Sequence, residues 1–217
     1  MSFEYLIEKI NRVEIMTAPF RHVLINDFFS PAHFSQIVAT PEIAISNQAH
    51  DKKLFETLFA KGWKVISFPG CITDPEMYIR WHKDKRGKVL NNSACEGFGI
   101  TLRLVAPQSS ILTELSDFMA TKPFLEALAA KFAIAMDRVH YDGGIQKYLD
   151  GYEISPHPDI RRKALTYMVN INPAANSHKQ NHHTQYLKFT ARHRYVQSYW
   201  EGNPDHERAW VPWEWCE

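Results

Sequence analysis

The sequence predicts an α+β fold, and three observations carry that prediction. Apolar residues recur at helical spacing through about the first 130 of the 217 residues. Short runs of period-two alternation occur at residues 99–104 and become frequent beyond residue 140, and clusters of Gly, Pro and Asn separate the two kinds of segment.

In chain order, residues 3–10 place Phe3, Leu6, Ile7 and Ile10 on one face, as a short amphipathic helix or a frayed arm. Residues 22–25 are a strand candidate. Ser30 before Pro31 marks a helix start, because a serine oxygen accepts from an orphan amide and a proline at the first helical position gives up no needed donor. Phe34, Ile37 and Val38 form its expected buried face. Residues 51–59 repeat the pattern with Leu54, Phe55 and Leu58 and end near Gly62. Residues 69–92 are polar and broken by Pro and Gly, and they carry Trp81-His82-Lys83-Asp84-Lys85-Arg86-Gly87-Lys88. Such a charge run reads as a solvated loop, with contact to an acidic substrate as the sharper alternative.

Residues 99–104 alternate as a strand, and two helices follow. The first spans residues 110–120 with Ile111, Leu112, Leu115 and Phe118 in register; the second begins at Thr121-Lys122-Pro123 and carries Phe124, Leu125, Leu128 and Phe132. Both stripes read as core faces. Asp142-Gly143-Gly144 is a turn that opens an extended run at 145–149. In residues 163–173 Leu165, Tyr167, Val169 and Ile171 alternate onto one face before the Asn172-Pro173 turn. Residues 184–189 and 195–200 read as strands, and the aromatic stretch at 209–217 needs cover.

Composition narrows the function classes. A length of 217 residues suits one sizeable core and predicts a single domain over 1–217. With 45% hydrophobic and 23% charged residues and a net charge of +1, the chain has no basic excess of the kind expected for a nucleic-acid or membrane-surface protein. Cys71, Cys95 and Cys216 are odd in number and widely spaced, so neither a disulfide framework nor a Cys-x-x-Cys zinc site is predicted. That points to a reducing, cytoplasmic setting. No apolar run approaches the ~20 residues that span a bilayer. Residues 1–14 mix Glu, Lys and Arg without an apolar signal core.

The chemistry-bearing motif is His157-Pro158-Asp159, on a segment that reads as a β-strand. Residues i and i+2 of a strand point to the same side, so His157 and Asp159 can reach one ion while Pro158 faces away. An imidazole and a carboxylate are two members of the 2-His-1-carboxylate triad of non-heme Fe(II) oxygenases. The bland reading is a surface or core histidine beside an acidic residue. The surroundings favour metal: a strand candidate, the pair, a short basic turn and an alternating segment follow one another as at the corner of a β-sandwich.

From Tyr148 to Asn172 the chain resembles the 2-oxoglutarate/Fe(II)-dependent dioxygenases, in particular their prolyl 4-hydroxylase-like branch. The matching features are Tyr148 nine positions before His157, the tetrad Pro156-His157-Pro158-Asp159, and the following Thr166-Tyr167-Met168-Val169-Asn170. Residues 19–31 resemble the strand and helix start with which such domains open. The resemblance implies a double-stranded β-helix, or jelly-roll, core with N-terminal helices packed on one face. It also implies His157 and Asp159 as iron ligands, Tyr148 as a hydrogen-bond partner of the 2-oxoglutarate carboxylate, and ascorbate as an auxiliary reductant. The implied reaction is hydroxylation of a protein or small-molecule substrate with conversion of 2-oxoglutarate to succinate and carbon dioxide. As a plain core residue, Tyr148 would instead need only a partner for its hydroxyl.

The resemblance does not close at the carboxyl-terminal side. The family places a second histidine downstream and a basic residue roughly ten positions beyond it, to pair with the far carboxylate of 2-oxoglutarate. The candidates here are His178, His182, His183, His193 and His206. The intervening strands and loops need on the order of 40 residues. His183 with Arg194 has a suitable internal spacing but stands too near Asp159. His206 stands at a better distance, yet only eleven residues follow it, and Arg208 is too close. Two expectations follow: a domain truncated at its C-terminus, or a divergent site completed by His193 or His206. The tract at 178–183 reads as a solvated loop sooner than as a metal tract. The competing functional class is a degenerate, non-catalytic jelly roll with at most weak metal binding; a cupin-like metalloprotein is disfavoured by the shortage of closely spaced histidines.

Overall fold

A computed structural model of the chain describes residues 2–67, 71–85, 99–180, 184–207 and 209–217. Cys95, His182, His183, Arg208 and part of the charged 69–92 segment lie outside the described residues.

The helical half follows the expected order. α1 (Tyr5–Arg12) buries Leu6 and Ile10 fully, with Phe3 just before it. α2 (Pro31–Val38) starts where Ser30 Oγ accepts from the His33 amide at 3.2 Å. Its buried face differs from the expected one: His33 and Ile37 point inward, while Phe34 is 37% exposed. Positions 33 and 37 are one helical turn apart and share a face. His33 is accommodated there because the Tyr5 hydroxyl, 3.0 Å away, meets its Nδ1. α3 (Asp51–Ala60) buries Phe55 and Leu58 and ends at Gly62, whose φ of +86° suits the left-handed residue that closes a helix.

Helix α4 (Pro75–Lys85) replaces the expected loop. Asp74 Oδ1 accepts from the Met77 amide at 3.0 Å, and Pro75 and Glu76 fill the first turn, so this helix has a complete N-terminal signal. α5 (Ser110–Met119) and α6 (Lys122–Phe132) match the periodicity, burying Leu112 and Leu115, and Phe124 and Leu128. α1 packs on α6 and α2 on α5.

The sheet has three antiparallel strands in the order β1 (Trp63–Ile66), β2 (Thr101–Leu104), β3 (Gln146–Tyr148). β1 lacks a sequence expectation; Trp63, 1% exposed, fixes it by donating its indole N–H to the Glu42 carbonyl at 3.1 Å. Trp63, Leu102 and Leu104 join the helices in one core, where each fully buried Leu or Ile contributes about 1.5–3 kcal/mol.

The chain is therefore α+β. Among the described residues there is no strand beyond these three, and the two facing sheets of a jelly roll are not among them. The alternation at 163–173 is real but unpaired: Leu165, Tyr167, Val169 and Ile171 pack against the core from an extended segment without a ladder. Residues 22–25 contribute one bridge, His22 with Met16. The strand expected at 184–189 reduces to a bridge between Phe189 and Cys216, with Lys188 and Glu217 exchanging both backbone bonds at 2.9 Å. Residues 195–200 are not a strand but the start of α7 (Tyr195–Gly202), supported by a Gln197 to Glu201 hydrogen bond at 2.8 Å. Trp210, Trp213 and Trp215 are half-buried, so the aromatic stretch has part of the cover it needs. Among the described residues no helix is long and apolar enough to cross a membrane.

Candidate functional site

The His157 segment leaves β3 through a tight turn. The Tyr152 amide donates to the Leu149 carbonyl at 3.1 Å, and Gly151 takes φ +81° with the Trp81 ring 2.6 Å from where a Cβ would stand. Only glycine fits that turn. Helix α4 holds it, since the Tyr78 hydroxyl donates to the Asp150 carbonyl at 2.7 Å.

Beyond the turn, residues 153–160 form no strand, so the β-strand expected at His157-Pro158-Asp159 is not there; the chain bends at Pro156, turns at Arg161, and is held by its C-terminal part. Glu153 accepts from the Trp213 indole at 2.7 Å, and the Pro156 carbonyl accepts from the Val211 amide at 3.0 Å. Arg161 lies over the Trp200 ring, 3.9 Å from its centroid, and donates to three carbonyls at the end of α7: Trp200, Asn203 at 3.1 Å and His206 at 2.7 Å. A guanidinium at the negative end of a helix dipole caps it. An open cavity of about 420 Å³ lies beside this junction, lined by Ile160, Arg161, Arg162, Pro204, Asp205 and Glu207.

Within that frame the His157 ring is exposed and its Nδ1 lies 2.8 Å from the Ser155 carbonyl. A carbonyl only accepts, so Nδ1 carries the hydrogen and the neutral ring presents its lone pair at Nε2. A backbone partner of this kind fixes the tautomer of metal-ligating histidines. Asp159 is 40% exposed; Lys163 Nζ approaches Oδ1 at 3.0 Å and the Thr166 hydroxyl donates to Oδ2. Partial burial acts to raise the Asp159 pKa, but the Thr166 hydroxyl, the Lys163 ammonium and the His157 ring outweigh it and hold the carboxyl below its ordinary value. Asp159 is therefore anionic at neutral pH. Each oxygen keeps lone-pair capacity beyond the bond it accepts.

Tyr148 ends β3 at 42% exposure, with its hydroxyl donating to Gln146 Oε1 at 2.6 Å and its ring 4.3 Å from that of Tyr152. Burial of the hydroxyl raises its pKa, partly opposed by the charge of Arg103.

Three other described histidines have partners or settings of their own. His193 stacks on Trp215 at 4.8 Å and meets Thr190 Oγ1 through Nδ1 at 2.9 Å. His206 stands edge-on to Tyr199, 5.5 Å between centroids, and His178 is exposed in a 3-10 turn. Among the described residues no three His, Cys, Asp or Glu side chains converge on a common metal position. His157 and Asp159 are donors of the types a metal takes, and among the described residues they have no third protein ligand. Sequence reasoning missed Arg161, Tyr78 and Trp213, whose roles come from contacts distant along the chain. Comparison with protein-family models, curated proteins and solved structures finds no match.

Proposed function

We propose that the chain is a 2-oxoglutarate- and Fe(II)-dependent oxygenase, or a segment of one, acting on a protein or small-molecule substrate. The observation that carries this reading is the His157 ring, whose Nδ1 is taken by the Ser155 carbonyl so that Nε2 is left as the ligating nitrogen, close enough to the ionised Asp159 carboxylate to act on it electrostatically. Ferrous iron held there would supply dioxygen activation coupled to decarboxylation of 2-oxoglutarate. His157 would contribute a neutral nitrogen and Asp159 an anionic oxygen. Lys163 and Thr166 orient that carboxylate, as hydrogen-bonding partners of metal ligands do. Tyr148, one strand residue before the anchored turn, would bond a cosubstrate carboxylate. The jelly-roll architecture and a cytoplasmic setting with ascorbate as reductant belong to the same proposal.

The second reading, a non-catalytic domain with weak metal affinity, is favoured by one observation: both Asp159 oxygens already accept hydrogen bonds and no third ligand converges among the described residues. Anaerobic Fe(II) titration and succinate formation from 2-oxoglutarate with ascorbate separate the two. The oxygenase predicts tight iron binding, and loss of turnover by at least about 100-fold in His157→Ala and Asp159→Ala. Absent iron binding and absent turnover in the parent chain would leave the non-catalytic domain.

A further inference from the structure

The pairing register sorts the sheet into two faces, because residues directly opposite one another in an antiparallel ladder project to the same side. Trp63, Val65, Leu102 and Leu104 share the core face. The other face carries Arg103 between Lys64 and Gln146, and Thr101 between Ile66 and Tyr148. It is polar and basic, and Asp142, on the turn entering β3, is its described acidic neighbour.

Two polar atoms of this face have no partner among the described residues: Thr101 Oγ1 and Arg103 Nε, both buried. Leaving such an atom unpaired costs about 1–3 kcal/mol. Among the described residues the Arg103 guanidinium makes a single-pronged contact, Nη1 to Asp142 Oδ1 at 3.2 Å, although its fork suits two parallel bonds to one carboxylate. Asp142 is 74% exposed and sits on the Asp142-Gly143-Gly144 turn. A Cβ on Gly144 would stand 3.2 Å from Arg103 Cδ, so the turn closes on the arginine stem and holds the side chain over the sheet. On the same face the Tyr148 hydroxyl pairs with Gln146 Oε1, its neighbour two positions back on β3.

We propose that this face binds the carboxylate of a small organic acid, with Arg103 as its anchor, Tyr148 as a second donor, and Asp142 as the internal carboxylate that the ligand displaces. A carboxylate fits because the guanidinium already holds one, loosely. The carboxylate belongs either to 2-oxoglutarate, in which case the site rests on the oxygenase reading, or to a carboxylated substrate such as an amino acid. Binding at Arg103 requires no metal in either case.

The test is titration calorimetry of the metal-free full chain with 2-oxoglutarate, with succinate and, separately, with L-amino acids. The parent is expected to bind one of these classes and thereby name the source. Arg103→Gln should weaken that ligand at least tenfold, and Asp142→Asn should tighten it severalfold by freeing the guanidinium. Circular dichroism and melting temperature check that each variant folds. Equal affinity in the parent and in Arg103→Gln, no binding of any of the three classes, or weaker binding in Asp142→Asn would overturn the proposal; the last would make the Arg103 to Asp142 pair purely structural. His157→Ala distinguishes this proposal from the iron reading: it should leave carboxylate affinity in the metal-free chain within twofold while abolishing tight Fe(II) binding. Iron binding can therefore fail with carboxylate binding intact, and the reverse.

Discussion

Removing the Glu42 carboxylate should destabilise the fold strongly, because one buried side chain organises the whole start of α5. Glu42 is 2% exposed in the turn after α2, and its two oxygens take three donors there. Oε1 accepts from the Gln108 and Ser109 amides at 2.8 Å each, and Oε2 accepts from the Ser109 hydroxyl at 2.6 Å. The amides are orphan donors next to α5, where the helix dipole also favours negative charge. Hydrogen bonds to a charged group contribute about 1.5–3 kcal/mol each, set against a desolvation cost of several kcal/mol for the carboxylate. Glu42→Ala leaves the three donors without their acceptor and should cost about 3 kcal/mol. For a chain of this size that corresponds to a melting temperature lower by roughly 6–12 °C. Glu42→Gln keeps Oε1 and lets the Ser109 hydroxyl turn to accept from the new amide, so about 1 kcal/mol is expected.

The pH dependence follows from the same geometry. Burial acts to raise the Glu42 pKa, but the Ser109 hydroxyl and the Ser109 and Gln108 amides outweigh it, and the folded value lies below the ordinary one. The carboxylate's contribution is then fully present above the unfolded value of about 4.3 and is lost as pH falls through the lower folded value. Urea unfolding followed by tryptophan fluorescence at pH 6 and at about pH 3 should therefore show the gap between parent and Glu42→Gln narrowing in acid. A Glu42→Ala variant within about 0.5 kcal/mol of the parent at pH 6, the usual range of neutral surface changes, would refute this reasoning. An unchanged gap at the two pH values would refute the ionisation part alone.

Two further predictions concern the backbone and the C-terminal contacts. Gly62→Ala forces a side chain into φ +86° with its Cβ 2.6 Å from the Ala106 carbonyl oxygen, and urea unfolding should register a loss of about 2 kcal/mol or more. Arg161→Gln removes the guanidinium shared by the Trp200, Asn203 and His206 carbonyls; because the side chain is exposed, global stability should fall by no more than about 1 kcal/mol, while amide exchange across α7 and residues 203–207 accelerates severalfold.

The helices are legible in the sequence where periodicity and capping agree, as at Ser30-Pro31 and in α5 and α6. α4 escapes that reading although Asp74-Pro75-Glu76 opens it, because the charge run at 81–88 has the composition of a solvated loop. α7 reads as a strand because Tyr195, Val196, Tyr199 and Trp200 favour strands intrinsically, and local β preference yields to context more readily than helical preference does. The alternation of Leu165, Tyr167, Val169 and Ile171 correctly identifies a face turned to the core. It cannot say whether backbone partners lie alongside, since a period-two pattern reports side-chain burial and not hydrogen bonding.

The candidate site shows the same division between local and distant information. His157 and Asp159 are visible in the sequence because their two-residue spacing is a local property, and so is the Ser155 carbonyl that sets the ring. What holds the segment is not visible there: Glu153 meets Trp213 across 60 positions, and Arg161 reaches His206 across 45. Arg103 is hidden for a related reason. One strand's alternation assigns it to the polar face, but only the pairing of β2 with β3 sets it in register with Gln146 and on one face with Tyr148. A strand borrows its placement from a ladder, and among the described residues 153–161 have none. They are held by the Trp213 indole, the Val211 amide and the end of α7, so the geometry at His157 depends on the C-terminal packing as directly as on the motif itself.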